Sequence, residues 1–202
     1  MVTNTTMIEA LIPRTKKRTF LSQGALIFGG SLLIAVCAKI KIPLLPVPVT
    51  MQTFAVLIIA SLLGSRRGVL TVLLYLTEGA LGLPVFAADT GVLTFVGPTA
   101  GYLVGFVFAA YLVGLLAEKG WDRKPATTCV AMVLGNLVIY TFGLYWLWVL
   151  MTIGRIPESS QGLLAVGLYP FLLGDILKII LAVCLLPSAW KLLELIHPPK
   201  SK

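Results

Sequence analysis

The sequence has few of the residues on which most catalytic and metal sites depend. Only 12% of its 202 residues are charged, about half the share found in soluble domains. The single histidine, His197, lies after the last apolar stretch, which disfavours a catalytic triad inside an apolar span. Cys37, Cys129 and Cys184 lie in apolar stretches without a C-x-x-C spacing, so neither a disulfide framework nor a zinc site is indicated. We therefore expect no metal and no cofactor.

A nucleotide-binding loop is also missing from the sequence. No stretch reads G-x-x-x-x-G-K followed by serine or threonine, the pattern that cradles phosphates in P-loop proteins. If this protein moves a substrate with nucleotide energy, another subunit must bind the nucleotide.

Apolar residues dominate what is present. They make up 58% of the chain, and the mean hydropathy is +0.97. The first apolar run covers about 20 residues, longer than the core of a cleaved signal peptide and long enough to cross a bilayer, so we interpret it as a retained span. The composition predicts a polytopic membrane protein with one domain, residues 1–202.

Hydropathy, interrupted by proline, glycine and charge clusters, divides this domain into six predicted membrane spans. The predicted spans are 22–39, 50–63, 68–81, 99–118, 126–151 and 168–193. The second and third are shorter than the guideline of about 17 residues, so they extend further, tilt, or lie partly buried among their neighbours. The fold class predicted is all-α, a six-transmembrane-helix bundle.

The distribution of basic residues predicts the orientation in the membrane. Six spans place both termini on one side, and that side carries most of the lysine and arginine: Arg14, Lys16, Lys17, Arg18, Arg66, Arg67, Lys119, Arg123, Lys124, Lys191, Lys200 and Lys202. The other side carries Lys39, Lys41 and Arg155. By the positive-inside rule both termini are cytoplasmic, and residues 1–21 form a cytoplasmic N-terminal segment. The net charge of +8 is thus mainly a topology signal rather than a sign of nucleic-acid binding.

Small residues recur at helical spacing on two of the spans. Gly97, Gly101, Gly105 and Ala109 follow one another at every fourth position and predict close packing of the fourth span inside the bundle. On the first span, Ala25 with Gly29 and Ser31 with Ala35 form similar pairs. Internal packing and docking to another membrane subunit both remain open for these two pairs.

Two segments between predicted spans differ in composition from ordinary solvated linkers. Residues 43–48 contain three prolines, which stiffen the backbone. Residues 82–99 are largely apolar and contain no basic group. Each segment is interpreted either as a lid over a pocket or as a loop that packs on the bundle.

The last span holds an acid and a base, Asp175 and Lys178, within the apolar run 169–187. Their i, i+3 spacing places both side chains on one helix face. A charge at the centre of a membrane costs about 2.5 to 3.5 kcal/mol on insertion scales and rarely persists without a partner. The two side chains either pair with each other or have their solvation completed by a polar ligand, and a ligand can open such a pair.

Four stretches resemble a known family. They are IPLLPVPVTMQTFAVLIIASLLG at 42–64, GALGLPVFA at 79–87, GPTAGYLVGF at 97–106 and GDILKIILA at 174–182. They are similar to BioY, the biotin-specific S component of energy-coupling-factor (ECF) transporters. The resemblance implies a six-helix protein of the cell membrane that captures biotin from outside with high affinity and is not an enzyme. It also implies two kinds of partner, a transmembrane T component and two cytoplasmic ATPases. The candidates for the surface that docks on the T component are Ala25, Gly29, Ser31 and Ala35.

The same resemblance makes Asp175 and Lys178 the leading candidates for biotin contacts. Biotin has a ureido ring with two N–H donors and, beyond an apolar chain, a carboxylate. An ionised Asp175 can accept from the ureido group, and Lys178 can attract the carboxylate or donate to a ligand oxygen. Further candidates for biotin contacts are Asp89, Tyr102, Asn136, Thr50, Gln52, Phe86 and Phe95.

Several of these further candidates have an alternative role. Thr50 and Gln52 open the second span and are suited to helix capping. Asn136 is equally suited to a bond with a neighbouring helix, and Tyr102 to a position at the membrane interface. An S component for another vitamin is the nearest alternative function. The single histidine near the C-terminal end of the sequence argues against most kinds of multispan membrane enzyme, and the near absence of other charges within the spans argues against a channel.

Overall fold

The computed structural model describes residues 6–11, 20–87, 91–156 and 162–196. These residues form six α-helices of 12 residues or more, two α-helices of five residues, two short 3-10 helices, and a small antiparallel hairpin. The α-helices are α1 (Met7–Leu11), α2 (Phe20–Lys39), α3 (Gln52–Leu63), α4 (Ser65–Ala80), α5 (Ala100–Glu118), α6 (Pro125–Thr152), α7 (Leu163–Gly167) and α8 (Tyr169–Ile196). The hairpin joins β1 (Lys41–Ile42) to β2 (Val49–Thr50), with Lys41 opposite Thr50.

The six long helices coincide with the six stretches found by hydropathy. Their ends differ from the expected ones by no more than about three residues, the usual uncertainty of helix boundaries. Within the part of the chain that the structure describes, four stretches are long and apolar enough to cross a membrane: Leu21–Lys39, Ala100–Glu118, Pro125–Thr152 and Leu163–Ile196. The all-α bundle predicted from the sequence is therefore the observed fold.

Helices α3 and α4 are the two short ones, and they meet in a tight turn. The backbone of Gly64 has φ of 84°, a conformation that glycine adopts without strain. Most of α3 is buried among its neighbours, which is one of the alternatives expected for a short span. A carboxylate from another helix caps α4, because Oε1 of Glu118 accepts hydrogen bonds from the backbone N–H and the hydroxyl of Ser65, both at 2.8 Å. Negative charge at a helix N-terminus also complements the helix dipole.

Helix α5 forms the centre of the bundle and packs against α3, α4 and α6. Its glycine stripe faces α6. A Cβ built on Gly101 would lie 2.4 Å from the carbonyl oxygen of Phe142, and one on Gly105 would lie 2.9 Å from Cα of Ile139. Ala109 continues this buried stripe. Gly101 and Gly105 thus let two backbones approach closely, as the spacing predicts. Gly97 was predicted to belong to the same stripe, but it lies before the first residue of α5 and has an extended backbone.

The small residues of α2 do not share one face. Ala25 and Gly29 are exposed, and a Cβ built on Gly29 would meet nothing within 4 Å. Ala35 is half-buried. Ser31 is fully buried and donates a hydrogen bond of 3.0 Å to Oε1 of Glu78 on α4. Ser31 therefore does not belong to an exposed docking surface, because its side chain already joins two helices of the bundle.

A polar cluster lies at the end of the bundle where α8 ends. Nε1 of Trp190 near the end of α8 donates to Oδ2 of Asp122 at 2.6 Å, and the guanidinium of Arg123 lies 4.3 Å from the centre of a Trp190 ring. Burial raises the pKa of the Asp122 carboxyl above its ordinary value, while the hydrogen bond from Trp190 opposes that shift. The cluster fixes the α5–α6 connection to α8.

Candidate functional site

A cavity lies near the opposite end of the bundle, which carries the β1–β2 hairpin and is called the hairpin end below. Its walls come from the hairpin segment, the start of α3, the segment before α5, and the helices α5, α6 and α8. The cavity has a volume of about 50 Å³. Small-molecule sites usually have about 300–1,000 Å³. A ligand of vitamin size therefore requires the segments at the mouth to move outward.

An ion pair forms the polar wall of this cavity. Nζ of Lys178 lies 2.9 Å from Oδ1 of Asp175, and it also donates to Oγ1 of Thr53 at 3.0 Å. The hydroxyl of Tyr140 donates to the other carboxylate oxygen, Oδ2. The side chains of Asp175 and Lys178 are only 6% and 9% exposed. The pairing predicted as one alternative is thus present, and both charges line the cavity.

The depth of the pair follows from helix geometry. Asp175 lies six positions after Tyr169, the first residue of α8, or about 9 Å along the axis at 1.5 Å per residue. Lys178 lies nearly one turn deeper. Both side chains are therefore beyond the mouth but within reach of a ligand that enters from the hairpin end.

The rest of the cavity wall is mostly apolar or aromatic. Leu103 and Phe106 line it from α5, Ile139 from α6, and Phe171 from α8. Such a wall lowers the local dielectric constant around the ion pair and strengthens its electrostatic interactions. The arrangement suits a ligand with an apolar body and one compact polar group that both donates and accepts hydrogen bonds.

Six of the nine residues predicted to contact biotin line the cavity. They are Thr50, Gln52, Phe86, Tyr102, Asp175 and Lys178. Gln52 and Tyr102 also bond to residues elsewhere in the bundle: the amide of Gln52 donates to the hydroxyl of Tyr75 at 2.6 Å, and the hydroxyl of Tyr102 donates to the carbonyl of Gly167 at 2.8 Å. The backbone N–H of Gln52 donates to Oγ1 of Thr50 at 3.2 Å. The N-cap of α3 is Met51, however, and no side chain caps this helix, so the capping role considered for Thr50 and Gln52 is not observed.

Of the other three predicted residues, Phe95 and Asn136 lie outside this lining. Phe95 packs edge-on against Phe86, with 5.9 Å between ring centres, and so supports a lining residue from behind. Asn136 faces a second, smaller cavity. Asp89 lies outside the described residues. No structure with a ligand tests any of the nine, and they remain predictions.

Several lining residues were not predicted from the sequence. Tyr140 and Thr53 hold the ion pair directly, and Phe171 lies one turn before Asp175 on α8. A signal for Tyr140 was present, because it lies four residues after Asn136 and therefore on the same face of α6. Thr53 gave no comparable signal, since it is one hydroxyl in an apolar helix.

Two segments cover the mouth, and they are the two interpreted from the sequence as lids or packed loops. Val47 and Pro48 come from the first segment, and Phe86 and Ala87 from the second. The second segment is attached to α2 and β1, because Nζ of Lys39 donates to the carbonyl of Phe86 at 2.7 Å and Nζ of Lys41 donates to the carbonyl of Ala87. Both segments therefore lie where a lid must lie.

Comparison with known proteins gives consistent matches. The sequence model of the family described as "BioY family" matches residues 9–195. A protein of Thermotoga maritima named biotin transporter BioY is 40% identical over 151 residues, which cover 74% of this chain and 85% of that protein. A protein of Rhodobacter capsulatus with the same name is 36% identical over 159 residues, 75% of this chain and 83% of the relative.

A solved structure has a similar fold. It is described as the S-component for biotin from an ECF-type ABC transporter, and it superimposes with a TM-score of 0.71. The match covers 88% of this chain and 95% of the other at 24% sequence identity. At this identity the comparison shows a shared fold.

Proposed function

Because this chain belongs to the BioY family, we propose that it is the biotin-binding and uptake subunit, or S component, of an ECF-type transporter. The relatives carry the name of a transporter and not of an enzyme. The chain is a multi-pass membrane protein, which fits uptake across a membrane. Its role is to capture biotin from outside the cell and to deliver it across the bilayer.

The observation that carries the proposal is the buried ion pair on the wall of the cavity. Two opposite charges in an apolar protein interior are expensive to desolvate, and their mutual attraction offsets that cost only when further hydrogen bonds complete their solvation. Asp175 and Lys178 have Tyr140 and Thr53 for this purpose, and both still line the open space of the cavity. A ligand with adjacent hydrogen-bond donors and acceptors completes the solvation of the two charges.

The geometry favours one end of biotin for this contact. Since the two charged groups are only 2.9 Å apart, both face the same end of a bound ligand. The ureido ring offers two N–H donors for the carboxylate of Asp175 and a carbonyl oxygen for the ammonium of Lys178. The valeryl carboxylate, at the far end of the molecule, then points toward the mouth, so Lys178 binds the ureido oxygen rather than the carboxylate.

The ligand is identified most directly from the purified protein. We expect biotin to remain bound when the protein is purified from cells grown with biotin, and mass spectrometry of the extracted small molecules detects it. Thiamine, riboflavin or no vitamin in that extract, although biotin was available, would contradict the proposal. The result also separates biotin from the alternative that this is an S component for another vitamin.

The partner proteins form the second part of the proposal. An S component without a nucleotide-binding loop needs ATPases elsewhere, and we propose the ECF T component and two cytoplasmic ATPases. The exposed face of α2 is the proposed docking surface for the T component. Ala25 and Gly29 lie on it beside the exposed side chains of Phe28 and Leu32, and small residues allow close approach of another helix.

A matched pair of α2 variants tests this surface. Gly29→Leu adds a side chain in open space, so the unfolding temperature and the biotin affinity of the isolated protein should stay unchanged, while co-purification with the T component falls. Ser31→Ala removes the bond to buried Glu78 and should lower the stability by about 1–3 kcal/mol. Thermal unfolding in detergent and pull-down of the T component measure the two effects. Normal assembly of the Gly29 variant would exclude this face.

We also propose that both termini are cytoplasmic. The end of the bundle opposite the hairpin carries Arg66, Arg67, Lys119, Arg123 and Lys124, which the positive-inside rule assigns to the cytoplasm. The cavity then opens to the outside. A C-terminal reporter that is active only in the cytoplasm should be active, and an inactive reporter on an expressed fusion would reverse the orientation.

A further inference from the structure

Polar residues of α6 face polar residues of α8 at two depths in the bundle. The contacts between Tyr140 and Asp175 and between Asp122 and Trp190 show that the two helices run antiparallel. Asn136 lies one turn deeper than Tyr140, and Lys178 lies nearly one turn deeper than Asp175. At the shallower depth, Tyr140 and Asp175 are joined by a hydrogen bond. At the greater depth, Asn136 and Lys178 border a small cavity.

The wall of this second cavity consists mainly of apolar side chains. Phe54, Leu57, Met132 and Ile179 form most of its wall, and its polar members are Thr53, Asn136 and Lys178. Its volume is about 10 Å³, about the minimum that one water molecule needs. Lys178 and Thr53 also line the main cavity, so they separate the two spaces.

The polar groups around this cavity have unused hydrogen-bonding capacity. Asn136 is 7% exposed, and its carbonyl oxygen Oδ1 has no hydrogen-bond partner among the described residues. The ammonium group of Lys178 has three N–H donors, and bonds to Asp175 and Thr53 account for two of them. An acceptor and a donor therefore border a space of one water molecule, and buried waters in proteins typically make about three hydrogen bonds.

We propose that this cavity holds one structural water molecule that links Asn136 to Lys178 beneath the ligand site. The water accepts from the third N–H of Lys178 and donates to Oδ1 of Asn136, with Thr53 as its third polar neighbour. Asn136 is then a positioning residue, because it acts on the ligand only through Lys178. When a ligand forms hydrogen bonds with the Asp175 carboxylate, this water still solvates the ammonium group of Lys178.

The inference deepens the proposed function and is tested by biotin affinity. Asn136→Leu removes the amide and fills the water site, and we expect at least a tenfold loss of affinity. In a Lys178→Met background the same change should have no further effect, because effects transmitted through a shared partner are not additive. Met132→Leu is the matched control, since it changes the wall of the same cavity without a polar group and should alter affinity less than twofold.

The outcomes distinguish this inference from the proposed function. Failure of the unaltered protein to bind biotin would contradict the function itself. Normal biotin binding by the Asn136→Leu variant, or an equal loss in the presence and absence of Lys178, would overturn the water link alone. A high-resolution structure gives a second test, which does not depend on the folding of any variant. It should show an ordered water within about 3.2 Å of both Oδ1 of Asn136 and Nζ of Lys178, and an Asn136 amide in direct contact with Lys178 would contradict the proposal.

Discussion

An Asp175→Asn variant is expected to bind biotin at least tenfold more weakly than the unaltered protein, a difference of about 1.4 kcal/mol or more. The amide cannot balance the ammonium charge of Lys178, and it replaces a carboxylate oxygen that accepts from Tyr140. Lys178→Ala should cause a comparable loss, because it leaves the carboxylate of Asp175 buried without its counter-ion. Isothermal titration or fluorescence titration of the purified variants measures the effect.

Stability has to be separated from binding in this experiment. Removal of one member of a buried ion pair costs about 3–5 kcal/mol, whereas replacement of both by apolar residues is often neutral or stabilising. The double variant Asp175→Leu with Lys178→Met should therefore fold and still fail to bind biotin. The pair Arg67 and Glu9, 3.4 Å apart and more exposed at the opposite end, is the matched control. Its removal should leave affinity unchanged, and normal affinity in the folded Asp175 and Lys178 variants would remove both residues from the site.

Gly101→Ala is expected to destabilise the bundle by about 3 kcal/mol, the upper part of the usual range for overpacking. The added methyl group would lie 2.4 Å from the backbone oxygen of Phe142 and 2.4 Å from Cβ of Trp146. Neither neighbour is the end of a flexible side chain, so α5 and α6 must move apart. Because Tyr102 and Tyr140 line the cavity from these two helices, biotin affinity should fall as well.

The control for this effect is Gly29, another helical glycine, at a position where an added Cβ has no close neighbour. Gly29→Ala on α2 meets nothing within 4 Å and replaces glycine by the better helix former, so the stability should be equal or slightly higher. Thermal unfolding of both variants in the same detergent gives the comparison. Equal unfolding temperatures for the Gly101 and Gly29 variants would show that the α5–α6 contact contributes little.

The helices of this protein can be predicted from its sequence because the bilayer imposes a simple pattern. Apolar runs of membrane length, divided by proline, glycine and charge, gave the long helices to within a turn. The small-residue stripe on α5 was equally informative, since a period of four places its members on one face. The small-residue pattern was misleading for Ser31 on α2, which it made a candidate for a docking surface. A small polar residue is equally suited to an exposed helix face and to a buried hydrogen bond.

The candidate site could be predicted only in part. An acid and a base three residues apart in an apolar helix stand out against their surroundings, and the structure places both on the cavity wall. Tyr140 and Thr53 lie on other helices, and their contact with the ion pair depends on how those helices pack. Asn136 stood out as a polar residue within a span, but its face and depth, which direct it to the second cavity, depend on the antiparallel packing of α6 and α8.

The structure also suggests how an internal ion pair serves a binding site. Each charge has its main partner on the same helix and a second partner on a different helix: Tyr140 on α6 for Asp175 and Thr53 on α3 for Lys178. The pair is thus held in place without a ligand, which limits the side-chain ordering that binding requires. A ligand that enters between the lids meets donors and acceptors already oriented toward the cavity.

A structure of the protein with bound biotin tests the central claim most directly. The claim predicts ureido nitrogen and oxygen atoms within hydrogen-bond distance, about 2.7–3.2 Å, of the Asp175 carboxylate and the Lys178 ammonium. Biotin bound away from α8, with these two side chains still in contact only with each other and with Tyr140 and Thr53, would contradict it.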